Sequence, residues 1–388
     1  MEFLKNRKYK NVISIKSYII IILIYLIFFR LNSYLMMEIT KLNEIKNLEL
    51  YLKFCNDSNI KELYFSDIKK FPKVSIISPI YNRGKYLLRF LRSVQNQKFN
   101  DIEIILIDDF SSDDTVSLIK QYQTFDKRIV LIKNKKNYGT FKSRNLGILK
   151  SKGKYLILPD PDDILSQDSL KSFYIFATKY NYEMIRFNIY IGQNIIFFYD
   201  CVKLTPSRPV FSPEIQTFLF YAAKYLKQID FNVSNKFIKR EALIRTLNVL
   251  SKEYLNMYIT NFEDGILNFM LYRTIKSFYF LKKIGYYYIR NQNSISRKGL
   301  TSDGIKFIFL HLKFVLEFSK NNHFEKDMFN ALFQRIVINF YIIDHIKLMK
   351  ENIKFYINTI DSFLENEFVW INNKNYLIRM RQSLIKYK

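Results

Sequence analysis

Three groups of acidic residues stand out by type and position. Asp108-Asp109 and Asp160-Pro161-Asp162-Asp163 each follow a short apolar run. Glu263-Asp264 comes much later, between Asn261-Phe262 and Gly265-Ile266-Leu267. Oxygen-only donor sets suit hard cations such as magnesium or manganese. Magnesium takes one or two protein carboxylates and completes its shell with substrate phosphate and water. Asp160 and Asp162 meet that demand, and a cation there would neutralise charge on a departing diphosphate. Asp109 can accept an N–H from a nucleobase, and Arg144 on an intervening helix can reach phosphate. Glu263-Asp264 supports two readings. A carboxylate delivered from a second segment can deprotonate an acceptor hydroxyl, and an acidic pair at a helix start complements the helix dipole.

Other chemistries lack their residues. Cys55 and Cys201 are the only cysteines, too few for a disulfide framework or a cysteine zinc site. His311, His323 and His345 all lie late, away from the two strand-end acidic groups. Gly84 and Gly139 belong to neither a G-x-x-x-x-G-K-[ST] nor a G-x-G-x-x-G pattern, which disfavours a P-loop nucleotidase and a dinucleotide dehydrogenase.

The acidic groups need a scaffold, and an alternation of short apolar runs with helical periodicity supplies one. Val74 to Pro79, Ile102 to Ile107, Ile129 to Ile132 and Tyr155 to Leu158 read as buried strands. Leu87, Leu88, Leu91 and Val94 recur at helical spacing within a helix expected from about Lys85 to Gln97. Ser112 or Asp113 can cap a second helix running to about Gln123, and Thr140 to Leu149 reads as a third. This order predicts an α/β fold with a doubly wound, mainly parallel sheet and right-handed crossovers. Ligands of such sheets bind beyond the carboxyl ends of the strands, where Asp108-Asp109 and Asp160 to Asp163 are placed. Two acidic groups at neighbouring strand ends, in a basic protein, argue against chance surface turns.

The chain has 388 residues and a formal charge of +26, with 49% hydrophobic and 25% charged residues. That is a globular composition. The charge fits a membrane surface or an anionic ligand, and equally the AT-rich coding drift that over-uses Lys, Asn, Ile, Phe and Tyr. A basic leader, with Lys5, Arg7, Lys8, Lys10 and Lys16, precedes an apolar run from Tyr18 to Phe29. Residues 1–37 are expected to be a leader and single-pass signal-anchor, with a cleaved signal peptide or an interfacial helix as alternatives. The membrane is then a partner, and the bulk of the chain faces the far side, the secretory-pathway lumen in a eukaryote. Residues 38–72 read as a stem, 73–300 as the principal domain and 301–388 as a helical region. In the last, Phe307, Leu310, Phe314 and Phe318 form an apolar stripe.

These pieces, in this order, resemble the family 2 glycosyltransferases of the GT-A, nucleotide-diphospho-sugar transferase-like fold. Val74-Ser75-Ile76-Ile77-Ser78-Pro79-Ile80-Tyr81-Asn82 resembles the family's first strand and loop, and Glu103 to Thr115 its nucleobase segment. Ser143-Arg144-Asn145-Leu146-Gly147 is similar to the A-R-N-x-G helix, Asp160-Pro161-Asp162-Asp163 to the metal motif, and Ser234-Asn235-Lys236-Phe237-Ile238-Lys239-Arg240 to the N-K-x-x-x-R segment. Glu263-Asp264 is similar to the E-D motif, and Tyr288 to Arg297 to the closing strand and loop. Pro161, Ser143 and Phe110 depart from the pattern. Phe110 stands where glycine is usual, which puts the turn shape in question, since glycine tolerates positive φ and phenylalanine resists it.

The resemblance implies a metal-dependent inverting transfer of a sugar from a nucleotide-diphosphate donor to a hydroxyl of a glycan, lipid-linked or protein acceptor. It assigns Pro79, Tyr81, Asp108, Asp109, Arg144 and Asp160 to the nucleotide. It assigns Asp160, Asp162 and Asp163 to manganese or magnesium, and Glu263-Asp264 to catalysis with Asp264 as base. Neighbouring helical residues point about 100° apart, so one acid of the pair is expected in the cleft and Glu263 at the helix start. A GT-A domain that binds without turnover and a basic nucleic-acid-binding protein are the alternatives. The first would lack a base or metal ligand, and the membrane signal speaks against nucleic acid as a partner.

Overall fold

The computed structural model describes residues 71–192, 208–212, 232–289, 301–318, 352–366 and 371–386, with a few isolated positions between them. Met1–Ile60 and Lys61–Lys388 are separate compact units, and the fold and the site lie in the second. The leader and anchor expected at 1–37 fall outside the described residues, as does nearly all of the 38–72 stem. Among the described residues no helix is long and apolar enough to cross a membrane.

The first half alternates as its apolar runs predict. β1 (Val74–Ile80) leads to α1 (Gly84–Gln95), β2 (Ile102–Asp108) to α2 (Thr115–Phe125), and β3 (Ile129–Lys133) to α3 (Thr140–Lys150). β4 (Tyr155–Ile157) completes this set. There follow β5 (Ile164–Leu165), α4 (Ser169–Tyr180), β6 (Met184–Gly192), β7 (Val210–Phe211) and β8 (Lys236–Lys239). Then come α5 (Arg240–Val249), α6 (Lys252–Asn256), α7 (Glu263–Thr274) and β9 (Ser277–Ile289). Described helices of the C-terminal region are α8 (Ser302–Phe318), α9 (Ile353–Leu364) and α10 (Ile371–Ile385).

The strands form one sheet in the order β3-β2-β1-β4-β8-β6-β9-β5, with β7 paired to β9. β3, β2, β1 and β4 are mutually parallel. Beyond β4 the sheet is mixed: β8 runs antiparallel to β4 and β6, and β5 and β7 antiparallel to β9, while β6 and β9 are parallel. A mainly parallel sheet therefore describes only the first four strands. A strand buried on both faces carries no mark of its direction in an apolar run, so the second half reads from sequence like the first.

Alternation along β2 builds both cores. Ile104 and Leu106 face a cluster with Leu87, Phe90 and Leu91 of α1 and Ile119 of α2. Ile105 and Ile107 face another with Phe141 and Ile148 of α3, and Leu243, Ile266, Phe309, Ile360 and Leu377 of later helices. Phe307 and Phe314 of the C-terminal stripe are buried in that second core. α3 sits close on β1 and β2 because residue 147 is glycine. A Cβ there would lie 2.4 Å from Ile77 Cγ2 and 2.7 Å from Ile107 Cδ1. Arg144 lies three residues earlier, on nearly the same helix face, so this seating also fixes where the arginine starts.

Candidate active site

The loops after β1 and β2 are tied to each other. Asn82 donates its backbone N–H to Ser111 Oγ (3.0 Å) and accepts from Ser112 N–H at its side-chain oxygen (2.8 Å). Asp113 accepts from Gly84 N–H (3.2 Å) and Thr115 N–H (3.0 Å), so one carboxylate secures the starts of α1 and α2. The N-cap position of α2 is Asp114, whose side chain makes no capping bond. The expected cap at Ser112 or Asp113 thus shifts by a residue, with Asp113 acting from the neighbouring position. Pro79 is buried within β1, and Tyr81 stands exposed two residues later. Asp108 is buried and accepts from Ser111 N–H (3.2 Å). Asp109 is also buried, and accepts from Asn134 Nδ2 (2.7 Å), Tyr138 N–H (2.8 Å) and Gly139 N–H (2.8 Å). It holds the loop between β3 and α3 in place.

Beyond β4 the carboxylates converge on a single cation. Arg144 Nη1 donates to Glu263 Oε1 at 2.9 Å and to Asp264 Oδ1 at 2.8 Å, and Nη2 donates to Asp160 Oδ1 at 3.2 Å. The Arg144 side chain is only 2% exposed. Arg144, expected at the donor phosphate, is therefore enclosed by acids from a strand end and a helix start. Burial works against its charge, and the three carboxylates more than offset that. Glu263 and Asp264 both reach Arg144, because a long guanidinium spans their angular separation on the helix. They differ in exposure, with 23% for the Asp264 side chain and 11% for Glu263. Burial first, then the Asp264 charge, pushes Glu263 well above the usual carboxylate range against the pull of Arg144. Burial also pushes Asp160 up, with Arg144 opposing and Asp264 and Asp162 adding to the rise.

Asp163 has a different job from its neighbours. Tyr286 O–H donates to Asp163 Oδ2 at 2.6 Å and Ile289 N–H to Oδ1 at 2.8 Å, while Asp160 N–H donates to the Tyr286 oxygen at 3.0 Å. Asp163, expected among the metal ligands, is buried and clasps the Asp160-Pro161-Asp162 turn to β9. Asp162 keeps a half-buried carboxylate, with Arg83 Nε 3.8 Å from its Oδ2 and Arg89 donating to its backbone carbonyl. Sequence reasoning missed Tyr286 and Arg83. The run Tyr286-Tyr287-Tyr288 hides which ring turns inward, and Arg83 is one basic residue among many.

Backbone strain gathers at the same place. Asn82 (φ 50°), Phe110 (φ 71°) and Phe262 (φ 61°) occupy the left-handed region. They adjoin Tyr81, Asp108-Asp109 and Glu263-Asp264 respectively. Phe110 thus adopts the positive φ that its glycine-like position demands, at a cost on the order of 1–3 kcal/mol.

The donor set suits a divalent cation. Asp160, Asp162, Glu263 and Asp264 gather around two arginines, Arg83 and Arg144. Burial is the main cause that raises Asp160 and Glu263, and the neighbouring carboxylates add to it. Among the described residues no group of three or more His, Cys, Asp or Glu side chains is arranged to hold a metal by itself.

Residues 75–247 match the model of the family described as Glycosyl transferase family 2. The chain carries a family 2 glycosyltransferase domain. Glu263-Asp264 lies just past the matched range. Glycosyltransferase GlyG of Streptococcus pneumoniae serotype 4 is 24% identical to the chain over 241 residues, covering 58% of the chain and 73% of GlyG. The poly(ribitol-phosphate) beta-N-acetylglucosaminyltransferase TarP of Staphylococcus aureus is 38% identical over 117 residues, covering 29% of the chain and 35% of TarP. A crystal structure of S. aureus TarS residues 1–349 in complex with UDP-GlcNAc superposes with a TM-score of 0.59 at 17% identity, over 81% of the chain and 89% of that fragment. At that identity the likeness shows a shared GT-A-like fold. In this glycosyltransferase domain, Asp109, Asp160 and the Arg144 cluster sit at the strand ends where such a fold takes its ligands.

Proposed function

We propose that this glycosyltransferase moves a sugar from a nucleoside-diphosphate donor to a hydroxyl of a glycan, lipid-linked or protein acceptor in one inverting displacement. The observation that carries the reading is the shared guanidinium: Arg144 holds strand-end Asp160 and helix-start Asp264 at 3.2 and 2.8 Å. Donor-side and acceptor-side acids are thereby fixed relative to each other, which is what an in-line displacement requires.

Asp264 is the base. It is the more exposed acid of its pair, and its Oδ2 accepts only a long 3.4 Å bond from Val233 N–H. That oxygen takes the proton of the acceptor hydroxyl while the acceptor oxygen bonds to the anomeric carbon. The bond from that carbon to the diphosphate oxygen breaks, and its electron pair leaves with the nucleoside diphosphate. Asp160 and Asp162 would hold the divalent cation, which when bound neutralises charge on the leaving group. Arg83, half-buried beside Asp162, supplies fixed positive charge toward the same diphosphate, the role Arg144 is too enclosed to fill. Tyr81 and the Asp109 loop hold the nucleoside.

The test is kinetic. A panel of nucleotide sugars with manganese should reveal one donor that is hydrolysed or transferred. With that donor, Asp264→Asn should lower turnover by about 10²–10⁴-fold and leave nucleotide affinity near wild type. Glu263→Gln should do less. If Glu263→Gln is the dead variant, the assignment reverses. If both variants stay active, the mechanism is wrong.

A further inference from the structure

His311 is far in sequence from the acidic groups of the site, and the fold brings it to the start of α7. Glu263, Asp264 and Gly265 are the first three residues of that helix. The turn opens from Phe262 at φ 61°, and Gly265 N–H donates to the Phe262 carbonyl at 3.1 Å. Against Gly265 stands the imidazole of His311, from the middle of α8. A Cβ at residue 265 would lie 2.1 Å from His311 Cε1, 2.8 Å from Nδ1 and 3.0 Å from Nε2. The Nδ1–Cε1–Nε2 edge of the ring therefore occupies the space that a side chain would fill, and only glycine leaves that notch open.

The ring is buried. Burial alone lowers its pKa to about 4, so above that pH it is neutral and adds no cation to the acids that Arg144 holds. α8 is also fastened to the segment that carries those acids. Tyr254 of α6 donates its O–H to Glu317 Oε2, and its ring meets Phe314 edge-on with centroids 4.7 Å apart. Phe269 of α7 meets the same Phe314 ring edge-on at 6.0 Å. His311 and Phe314 are three residues apart, on nearly the same face of α8, so one stripe of this helix backs α6 and α7 together. These residues all lie outside the range 75–247 matched to the family.

We propose that His311 is a positioning residue for the transfer: its ring edge, seated in the Gly265 notch, fixes the first turn of α7 and with it the place of the Asp264 carboxylate. The proposal rests on the reading of Asp264 as the base and deepens it, giving the C-terminal region a part in the reaction. Arg144 by itself sets the turn loosely. One nitrogen, Nη1, serves both Glu263 and Asp264, at 2.9 and 2.8 Å, and a hydrogen bond tolerates a range of angles. A ring edge packed into a notch tolerates far less, because protein interiors are as closely packed as organic crystals. Glycine inside a helix is less stable than alanine, and at residue 265 the close approach of His311 is what requires it.

The experiment compares His311→Ala, Gly265→Ala and the double variant in the full chain. The substrate is the nucleotide sugar that the manganese panel turns over, and its nucleoside diphosphate is the binding probe. Thermal melts give the folded fraction on which turnover is counted. His311→Ala should lower turnover per folded molecule by roughly 10–10²-fold, since about 1 Å of misplacement can cost that much. Affinity for the diphosphate should stay near wild type, because the turn serves the acceptor and not the nucleotide. Gly265→Ala should lose turnover as well, its Cβ colliding with the ring. The double variant puts that Cβ into the space the ring has left, so its turnover should exceed that of either single variant. A lowered melting temperature with unchanged turnover per folded molecule in His311→Ala makes the ring a core filler and overturns the proposal. Losses that simply add in the double variant overturn it too, as does a loss of diphosphate affinity in step with turnover. If Asp264→Asn is dead while His311→Ala matches wild type, the base stands and this proposal alone falls. If Asp264→Asn and Glu263→Gln both stay active, the base reading falls and takes this proposal with it.

Discussion

Arg128, just before β3, and Arg144, in α3 just after it, are both buried to the same 2% side-chain exposure, and they do opposite things. Arg128 meets Asp126 through two bonds of 2.8 Å, Nε to Oδ1 and Nη2 to Oδ2. Asp126 is 0% exposed. One cation faces one anion across a fork that both oxygens fill, and the pair braces the turn into β3. Arg144 faces three carboxylates, and two of them, Asp160 and Asp264, remain open to solvent. A balanced buried pair is finished when the chain folds. An unbalanced one still needs a proton, a metal ion or a positively charged group, which is how a site differs from a brace.

The largest effect should come from removing each arginine in turn. Breaking a buried pair from one side costs about 3–5 kcal/mol, so Arg128→Met and Arg144→Met should both lower the denaturation midpoint. Manganese should restore part of the loss in Arg144→Met, because a divalent cation can replace the missing charge, and none of it in Arg128→Met. Turnover per folded molecule should survive in Arg128→Met and collapse in Arg144→Met. Equal responses to manganese would erase the distinction between brace and site.

A smaller effect concerns pH. A carboxyl whose pKa is higher folded than unfolded holds its proton more tightly in the fold. The stabilisation is complete below the unfolded value and is lost as pH rises through the folded value. Glu263 is such a group, raised by burial and by Asp264. Metal-free stability should therefore decline as pH climbs from the ordinary carboxylate range toward neutrality and beyond. Glu263→Gln should flatten that decline in melts recorded across the range. A decline of equal steepness in Glu263→Gln would place the excess charge elsewhere.

The smallest effect tests strain at the site's rim. Phe110→Gly removes the left-handed penalty of about 1–2 kcal/mol and adds up to about 1 kcal/mol of glycine entropy cost. The variant should match or slightly exceed wild type in melting temperature. A clear loss of stability would mean that the exposed Phe110 ring packs in a way its 56% exposure does not suggest.

Much of this was legible in the chain. The four parallel strands, the helices between them and the acidic groups at the strand ends follow from alternation and from where apolar runs stop. Asp160, Asp162 and Asp264 were placed in the site by motif and position, and the structure leaves all three partly open to solvent. Three other assignments show what spacing leaves out. Arg144, Asp109 and Asp163 are polar residues at the right ends of the right elements, so spacing alone offers them to a ligand. The structure gives their atoms largely to protein partners: Arg144 to residues 119 and 120 positions away, and Asp163 to Tyr286, 123 positions away.

What the sequence determined by itself was therefore local: which runs become strands, where they end, and that carboxylates crowd those ends. The tertiary structure decided which carboxylates remain available, the direction of the strands beyond β4, and the sharing of one guanidinium by two halves of the site. Hydrophobic period and turn chemistry act over a few residues and leave a visible pattern. A hydrogen-bond partner more than a hundred residues away leaves none until folding brings it within 3 Å, and at that range the desolvation of each polar atom decides whether it is a ligand or a brace.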